Sequence, residues 1–276
     1  MRIYGRAHSE TPVRSTGALG IAGRSFQDVT DTDEAAMSFG AAAAAYATAR
    51  PDYPAEAVEW LLESVSADTD RVLDVGAGTG KLTKAIVALR HRTVAVEPDP
   101  KMRAQLRMSV PDVQVYPGSA ETLPFGDGEF GAALVGQAWH WINPTAGSRE
   151  IGRVLRPGGE LGLIWNLRDV KQPVIGELHA LMPEGRALPM ASAPGGPPLG
   201  PPFGRMETRQ WVWTRAVTRS LLEDMVRSRS FYLTGTPELR RTTDERLAAW
   251  WTHRGLSDTA TVVLPYITRA FRARRP

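Results

Sequence analysis

The stretch RVLDVGAGTGKLTKAIVALRHRTVAVEP, residues 71–98, decides the fold. It opens on an apolar run (71–77) that ends in a glycine turn, continues as an amphipathic helix pattern (80–90), and returns to a second apolar run (92–98). Apolar runs of strand length, alternating with helical periods, predict parallel strands covered by helices on both faces. The turn carries Gly76, Gly78 and Gly80. A dinucleotide fingerprint requires G-x-G-x-x-G. Started at Gly76, the pattern meets Lys81 where its last glycine belongs; started at Gly78, it meets Thr83. The spacing fails in both frames, which disfavours a nicotinamide oxidoreductase. The turn still lets backbone approach a ligand closely.

The same beat continues downstream. A helix is expected over 99–110, a short strand in DVQVYPG (112–118) and a fourth strand in FGAALVGQAW (130–139). A helix over 145–155 is closed by RPGG, and ELGLIWN (160–166) reads as a fifth strand. Right-handed crossovers leave few topologies for such a series. Upstream, EAAMSFGAAAAAYATAR (34–50) is rich in helix formers, PDYP stops it, and AEAVEWLLESV (55–65) starts another helix. Residues 1–34 lack periodicity and are expected to form a disordered or loosely attached tail.

Beyond 170 the beat breaks. Residues 183–204 hold seven Pro and five Gly, a composition that leaves no room for regular structure. TRQWVWT (208–214) alternates like a strand, RSLLEDMVRSRS and PELRRTTDERLAAWW read as helices, and TATVVLPYIT (259–268) closes as a last strand. Trp211, Trp213, Trp250 and Trp251 are expected to serve core or subdomain packing rather than a substrate cage. The C-terminal TRAFRARRP, with Arg269, Arg272, Arg274 and Arg275, reads as a solvated basic tail.

Composition narrows the function. The chain has 276 residues, 42% hydrophobic, with no cysteine and a net charge of +3. Disulfides, thiolate metal sites and cysteine nucleophiles are excluded, and a cytoplasmic location is expected. The basic residues are not clustered as in a nucleic-acid binder. No apolar run approaches the roughly 18 residues of a membrane span. The histidines show no metal-ligand pattern.

Two carboxylates sharpen the ligand. Glu97 ends the second apolar run, 19 positions after Gly78, where it can accept both hydroxyls of a ribose. Asp74 enters the glycine turn, poorly placed for a phosphate and well placed for an ammonium. These residues suggest a ligand with a ribose and a positive centre but no pyrophosphate.

Taken together, VLDVGAGTGKLT, AVEPDPKM, GSAETLPFGDGEF, RVLRPGG and GLIWN resemble the class I S-adenosylmethionine-dependent methyltransferases (the type 11 domain). AAYATARPDYP, QAWHW and IWNLRD are similar to the small-molecule branch that includes trans-aconitate methyltransferase. The resemblance implies an α/β, doubly wound, seven-stranded Rossmann-like sheet of order 3-2-1-4-5-7-6, the last strand antiparallel, with an N-terminal helical lid and a C-terminal helical insertion. It implies one domain over 35–276: helices and lid at 35–66, a cofactor-binding core at 70–170, and a substrate side at 171–276.

S-adenosyl-L-methionine is the implied cofactor. Asp74, Gly76, Ala77 and Gly78 would line its methionine end, Glu97 would hold the ribose, and Pro98 and Met102 would flank it. Ser119, Ala120 and Glu121 would line the adenine; many relatives carry Asp where Ser119 stands, so here only backbone and hydroxyl are offered. Gln137 would close the site. Tyr46, Arg50 and Tyr53 are candidate lid residues, and Trp139, Trp165, Asn166 and Arg168 candidate pocket walls. Arg50 or Arg168 would pair an acceptor carboxylate. His140 is the candidate general base. The implied partner is a small-molecule methyl acceptor attacked at O, N or C. The alternative is a regulatory or scaffold protein that binds the cofactor without turnover.

Overall fold

The computed structural model describes residues 49–182 and 186–276. The expected tail, most of the helix before Arg50, and Tyr46 lie outside the described residues. Among those described, helix α1 (Ala55–Leu62) precedes strand β1 (Arg71–Val75), α2 (Lys81–Ala88), β2 (Arg92–Val96), α3 (Pro100–Ser109), β3 (Gln114–Tyr116) and β4 (Phe130–Gly136). Then come α4 (Pro144–Val154), β5 (Leu155–Arg168), α5 (Pro173–Leu181), α6 (Ala187–Ala191), β6 (Glu207–Thr218), α7 (Arg219–Arg227), α8 (Ser230–Leu233), α9 (Pro237–His253) and β7 (Thr261–Arg274). The strands form one seven-stranded sheet of order β3-β2-β1-β4-β5-β7-β6. β1 runs parallel to β2 and β4, while β7 is antiparallel to both β5 and β6.

The central strands are buried on both faces, as their unbroken apolar sequence requires: β4 is buried from Phe130 to Val135. One face packs Trp139, Trp165, Ile151 and Phe271; the other packs α1 and Ile86 of α2 onto Ala132 and Leu134. A third apolar cluster joins α5, α7 and α9 to the ends of β6 and β7. Helix starts are set by side chains. Asp99 accepts from the backbone N–H of Lys101 and Met102, and Asn143 from Thr145 and Ala146, each with a proline in the first turn.

Three expectations need correction. β4 stops at Gly136, because Gln137 takes a left-handed φ of 57° and Trp139–Trp141 form a 3-10 turn. The Pro/Gly segment contains α6 and packs rather than loops: Gly200 donates to Ser148, Phe203 is buried, and the Pro198 carbonyl accepts from the Trp139 indole. Each arginine of the supposed C-terminal tail donates to a protein carbonyl, although Arg274 stays exposed. Arg269 and Arg272 of β7 donate to the carbonyls of Ala191 and Trp60, Arg274 to that of Gly158, and Arg275 to that of Leu155. Arg272 also pairs with Glu63 and Glu207. β7 is a 14-residue strand between two neighbours, so its outward positions are roofed by long arginine stems.

Candidate active site

The strand order reverses between β1 and β4, and in open α/β sheets ligands bind outside the carboxyl ends of the strands at such a point. The glycine turn follows β1 there. Gly76, Gly78 and Gly80 take φ values of +67°, +57° and +89°, a region that favours glycine. A Cβ on Gly76 would stand 2.9 Å from that of Ala138, so the turn presses against the segment after β4. Beside Gly78 nothing among the described residues lies within 4 Å of a notional Cβ. Open space over a left-handed glycine is what a closely approaching ligand needs.

Two carboxylates lie under this turn. Glu97 is nearly buried; its oxygens accept from the N–H of Gly78 at 2.8 Å and of Asp99 at 2.9 Å. Burial pushes its pKa up, and these two hydrogen bonds oppose that push. Asp74 is fully buried. Its Oδ2 accepts from Thr83 at 2.6 Å, while Oδ1 has no partner among the described residues. Burial raises its pKa to about 7, against the pull of the Thr83 hydroxyl and with a smaller push from Glu97. Thr79 Oγ1 is another buried polar atom without a partner among the described residues. A buried carboxyl oxygen left unpaired is costly, and a cationic ligand group would relieve it.

The remaining expected residues fall around this turn. Met102 is buried on α3 and Pro98 is exposed beside it. Ser119 bridges to Thr122, Ala120 is buried, and Glu121 accepts from the N–H of Asn143. A Cβ on Gly118 would stand 3.1 Å from Val96, so this segment runs beside the end of β2, near Glu97. The Gln137 side chain donates to the Asn166 carbonyl at 2.9 Å.

Residues 49–54 form a strap over the strand ends. Lys81, at the start of α2, pairs with Asp52 at 2.8 Å. Asn166, in β5, donates to the Asp52 carbonyl at 3.0 Å. The Tyr53 hydroxyl sits 2.7 Å from where a Cβ on Gly136 would stand. Arg50 donates to the Ser228 carbonyl and Arg215 to that of Ala49. The strap therefore ties the carboxyl ends of β1, β4 and β5 to β6 and α7.

Three expected pocket residues turn inward instead. Trp139 and Trp165 are fully buried core side chains; Trp165 meets Phe271 edge-on at 5.9 Å. Arg168 is buried and donates to the Met182 carbonyl. Apolar area decides the direction of the two tryptophans, which lie in one core cluster, whereas Arg168 is turned in by the carbonyl it meets. His140 is half-buried in the 3-10 turn, its Nδ1 without a partner among the described residues. Burial above all, together with the nearby charges of Arg50 and Arg186, lowers its pKa to about 4.

Sequence reasoning missed Lys81, Trp213, Thr268 and Arg186. Trp213 and Arg215 were legible only as strand alternation, which puts both on one face of β6. Trp213 is half-buried and lines a pocket, whereas Trp251 is core.

The methyltransferase domain model matches residues 73–163, the span from β1 to β5. An uncharacterized methyltransferase of Mycobacterium tuberculosis is 40% identical over 244 residues, covering 86% of this chain and 95% of that protein. The chain belongs to the class I S-adenosylmethionine-dependent methyltransferases. A second uncharacterized methyltransferase of this family, from Schizosaccharomyces pombe, is 36% identical over 184 residues, covering 66% of this chain and 73% of its own. The methyltransferase fold is shared with a protein of Anaeromyxobacter dehalogenans classed as a type II methyltransferase. That structure has a TM-score of 0.61 at 21% identity and covers 82% of this chain and 97% of its own. Among the described residues, no helix of this methyltransferase is long and apolar enough to cross a membrane.

Proposed function

We propose that this methyltransferase binds S-adenosyl-L-methionine over the Gly76–Gly80 turn and transfers its methyl group to an oxygen of an acidic small molecule held beneath the strap. The observations that carry the reading are the buried Oδ1 of Asp74, without a partner among the described residues, and the space beside Gly78 in the turn that follows, open among those residues. The residues fit the cofactor. Asp74 would take the ammonium. Glu97 uses two of its roughly four lone-pair sites on its own loop, which leaves sites for ribose hydroxyls. Ala120 and Ser119 would meet the adenine, with Met102 and Pro98 at its flank.

When bound, the cofactor supplies a methyl already activated on a sulfonium. The chain's own part is to align and to exclude water. Tyr53 and the strap cover the end of β4, and Asn166 holds the strap by its backbone. Alignment of this kind is worth up to about 7–11 kcal/mol. An acceptor carboxylate would bring its own nucleophilic electron pair, so the residues around it would have only to orient it toward the activated methyl, with no base required. The positive field of Arg50 and Arg186 around His140 favours an acid over an amine.

Isothermal titration with S-adenosylmethionine and S-adenosylhomocysteine tests the cofactor: no binding to folded protein ends the reading. An S-adenosylhomocysteine-release assay across carboxylates, phenols, sugars and amines tests the acceptor. Turnover with amines alone, or binding with no turnover at all, would replace it.

A further inference from the structure

Helices α1, α2 and α3 lie side by side on one face of the sheet. α1 shares an apolar cluster with Leu82 and Ile86 of α2. A Cβ on Gly80, at the head of α2, would stand 2.9 Å from Leu106 of α3. Two right-handed crossovers, β1–α2–β2 and β2–α3–β3, step along the sheet in one direction and leave both helices on the same face.

The outer surface of these helices is divided by charge. α1 carries Glu56 and Glu59 and no cation, and Glu63 follows it; all three are exposed. α2 and α3 hold no carboxylate, and Lys84, Arg90, Lys101 and Arg107 are exposed on or beside them. Lys81 is tied to Asp52 of the strap and Glu63 to Arg272, but Glu56, Glu59, Lys84, Arg90 and Lys101 form no ion pair among the described residues. Elsewhere the chain neutralises its helices internally. Arg219 meets Glu223 on α7 and Arg241 meets Glu245 on α9, each one turn apart. On α1 and α2 the neighbours one turn apart are alike, Glu56 with Glu59 and Lys81 with Lys84, which weakens the isolated helices. The same face offers apolar contact. Met108 of α3, 78% exposed, is the most exposed large hydrophobic side chain among the described residues, and Val87 of α2 is exposed as well.

An acidic strip beside a basic strip is self-complementary. One two-fold rotation lays each strip on its opposite and makes both contacts at once. A lipid surface or a nucleic acid, carrying one sign of charge, would match the basic half and be repelled by the acidic half. We propose that the outer face of α1–α3 is a homodimer interface, with the acidic α1 of each copy lying over the basic α2 and α3 of a second copy of this chain. The helices are 8 to 10 residues long. That is about 12–15 Å each, so the dimer belongs with the weak, reversible interfaces below about 1,200 Å². The inference stands whether or not the methyltransferase reading of the acceptor holds.

Sedimentation velocity of the full chain over a range of concentrations tests it. At about 0.1 M NaCl the wild type is expected to dimerise, and about 1 M NaCl, which shortens the screening length from about 10 Å to about 3 Å, should weaken association by about tenfold or more. The double variants Glu56→Lys/Glu59→Lys and Lys84→Glu/Lys101→Glu are each expected to be monomeric. An equimolar mixture of the two is expected to form a heterodimer, since each then presents one sign of charge and its counterpart the other. Thermal midpoints read by circular dichroism establish that both variants fold. Glu56→Gln/Glu59→Gln, which removes charge without adding repulsion, should weaken association by a smaller factor and decides the matter if a reversal variant does not fold. A wild type that stays monomeric up to about 1 mM, a dimer unmoved by salt and by both reversals, or folded variants that do not complement each other would each overturn the proposal. So would a monomer that adsorbs to phosphatidylserine vesicles through Lys84 and Lys101, which would make a lipid surface the occupant.

Discussion

The two sides of the crevice are built in opposite ways. On the β1–β2 side, the turn and its carboxylates come from one continuous stretch: Asp74, Thr83 and Glu97 lie within 24 positions, and backbone N–H groups of Gly78 and Asp99 hold Glu97. On the strap side, every fastening joins distant segments: Asn166 to Asp52 across 114 positions, Arg215 to Ala49 across 166, Arg50 to Ser228 across 178. A site made of local backbone is set once the strand–turn–helix forms. A site made of long-range side chains can be rebuilt by changing one segment, which is why acceptor choice belongs on that side.

The sharpest way to break the comparison is at Asp74. Asp74→Asn removes the charge but keeps the shape and the Thr83 hydrogen bond. Losing one member of a buried charge pair costs about 2–5 kcal/mol, so S-adenosylmethionine affinity should fall by about 30-fold or more. Wild-type affinity should also rise as pH climbs through about 7, where Asp74 ionises, and the Asn variant should lose that dependence. Calorimetry at several pH values checks both; a pH-independent wild type would show that no cation meets Asp74.

The glycines give the next effect and separate space from strain. Gly76→Ala places a Cβ 2.9 Å from Ala138 at φ +67°, so both stability and cofactor binding should fall, the αL conformation alone costing about 1–2 kcal/mol. Gly78→Ala carries the same backbone cost but its Cβ meets no atom of the described residues within 4 Å. Its thermal midpoint should drop less than that of Gly76→Ala while its cofactor affinity drops at least as much. Equal thermal losses with unchanged binding would mean that the open space at Gly78 is not the ligand's.

This asymmetry also explains what the sequence could tell. The alternation of strands and helices, the glycine turn and the pair Asp74–Glu97 follow from local periodicity and spacing, whereas the order of the sheet was implied only by the family resemblance; the matched family span is this same region, 73–163. The inward turn of Trp139, Trp165 and Arg168 was not legible, because which sheet face a side chain serves depends on what packs over it. The strap's fastenings were not legible either: Lys81 reads as an ordinary helix-start cation until Asp52 is brought to 2.8 Å of it. The strand identity of Arg269–Arg274 was hidden by charge, since long arginine stems can cover apolar surface that the pattern alone counts as solvated.

Lys81→Met probes the strap itself, with a smaller effect. The Lys81–Asp52 pair is partly exposed, Asp52 mostly so, and such pairs contribute at most about 1 kcal/mol to stability. The thermal midpoint should scarcely move. The strap would be looser over Gly136, so KM for the acceptor should rise by about threefold to fivefold, the equivalent of about 1 kcal/mol, while S-adenosylhomocysteine affinity holds. A change confined to cofactor affinity would place Lys81 on the other side of the crevice.

The smallest effect on turnover is expected at His140. With its pKa lowered to about 4, the imidazole is neutral throughout the physiological range and too weak a base to gain much by accepting a proton. An acceptor carboxylate asks for none. His140→Gln should therefore leave kcat within about twofold and add no limb to the pH profile near 6–7. Its trace should appear in stability. A histidine whose folded pKa lies below its unfolded one binds fewer protons when folded, so its contribution to stability rises with pH from about 4 to about 6.5. Asp74, with a raised pKa, does the reverse: its contribution falls as pH rises from about 3.8 to about 7. The two slopes oppose each other in the wild type. Thermal midpoints across that window should slope more steeply downward with pH in His140→Gln, and more steeply upward in Asp74→Asn, than in the parent. If His140→Gln instead lost turnover with an unchanged stability slope, the imidazole would be a working base, and the acceptor would be a hydroxyl or amine that must give up a proton.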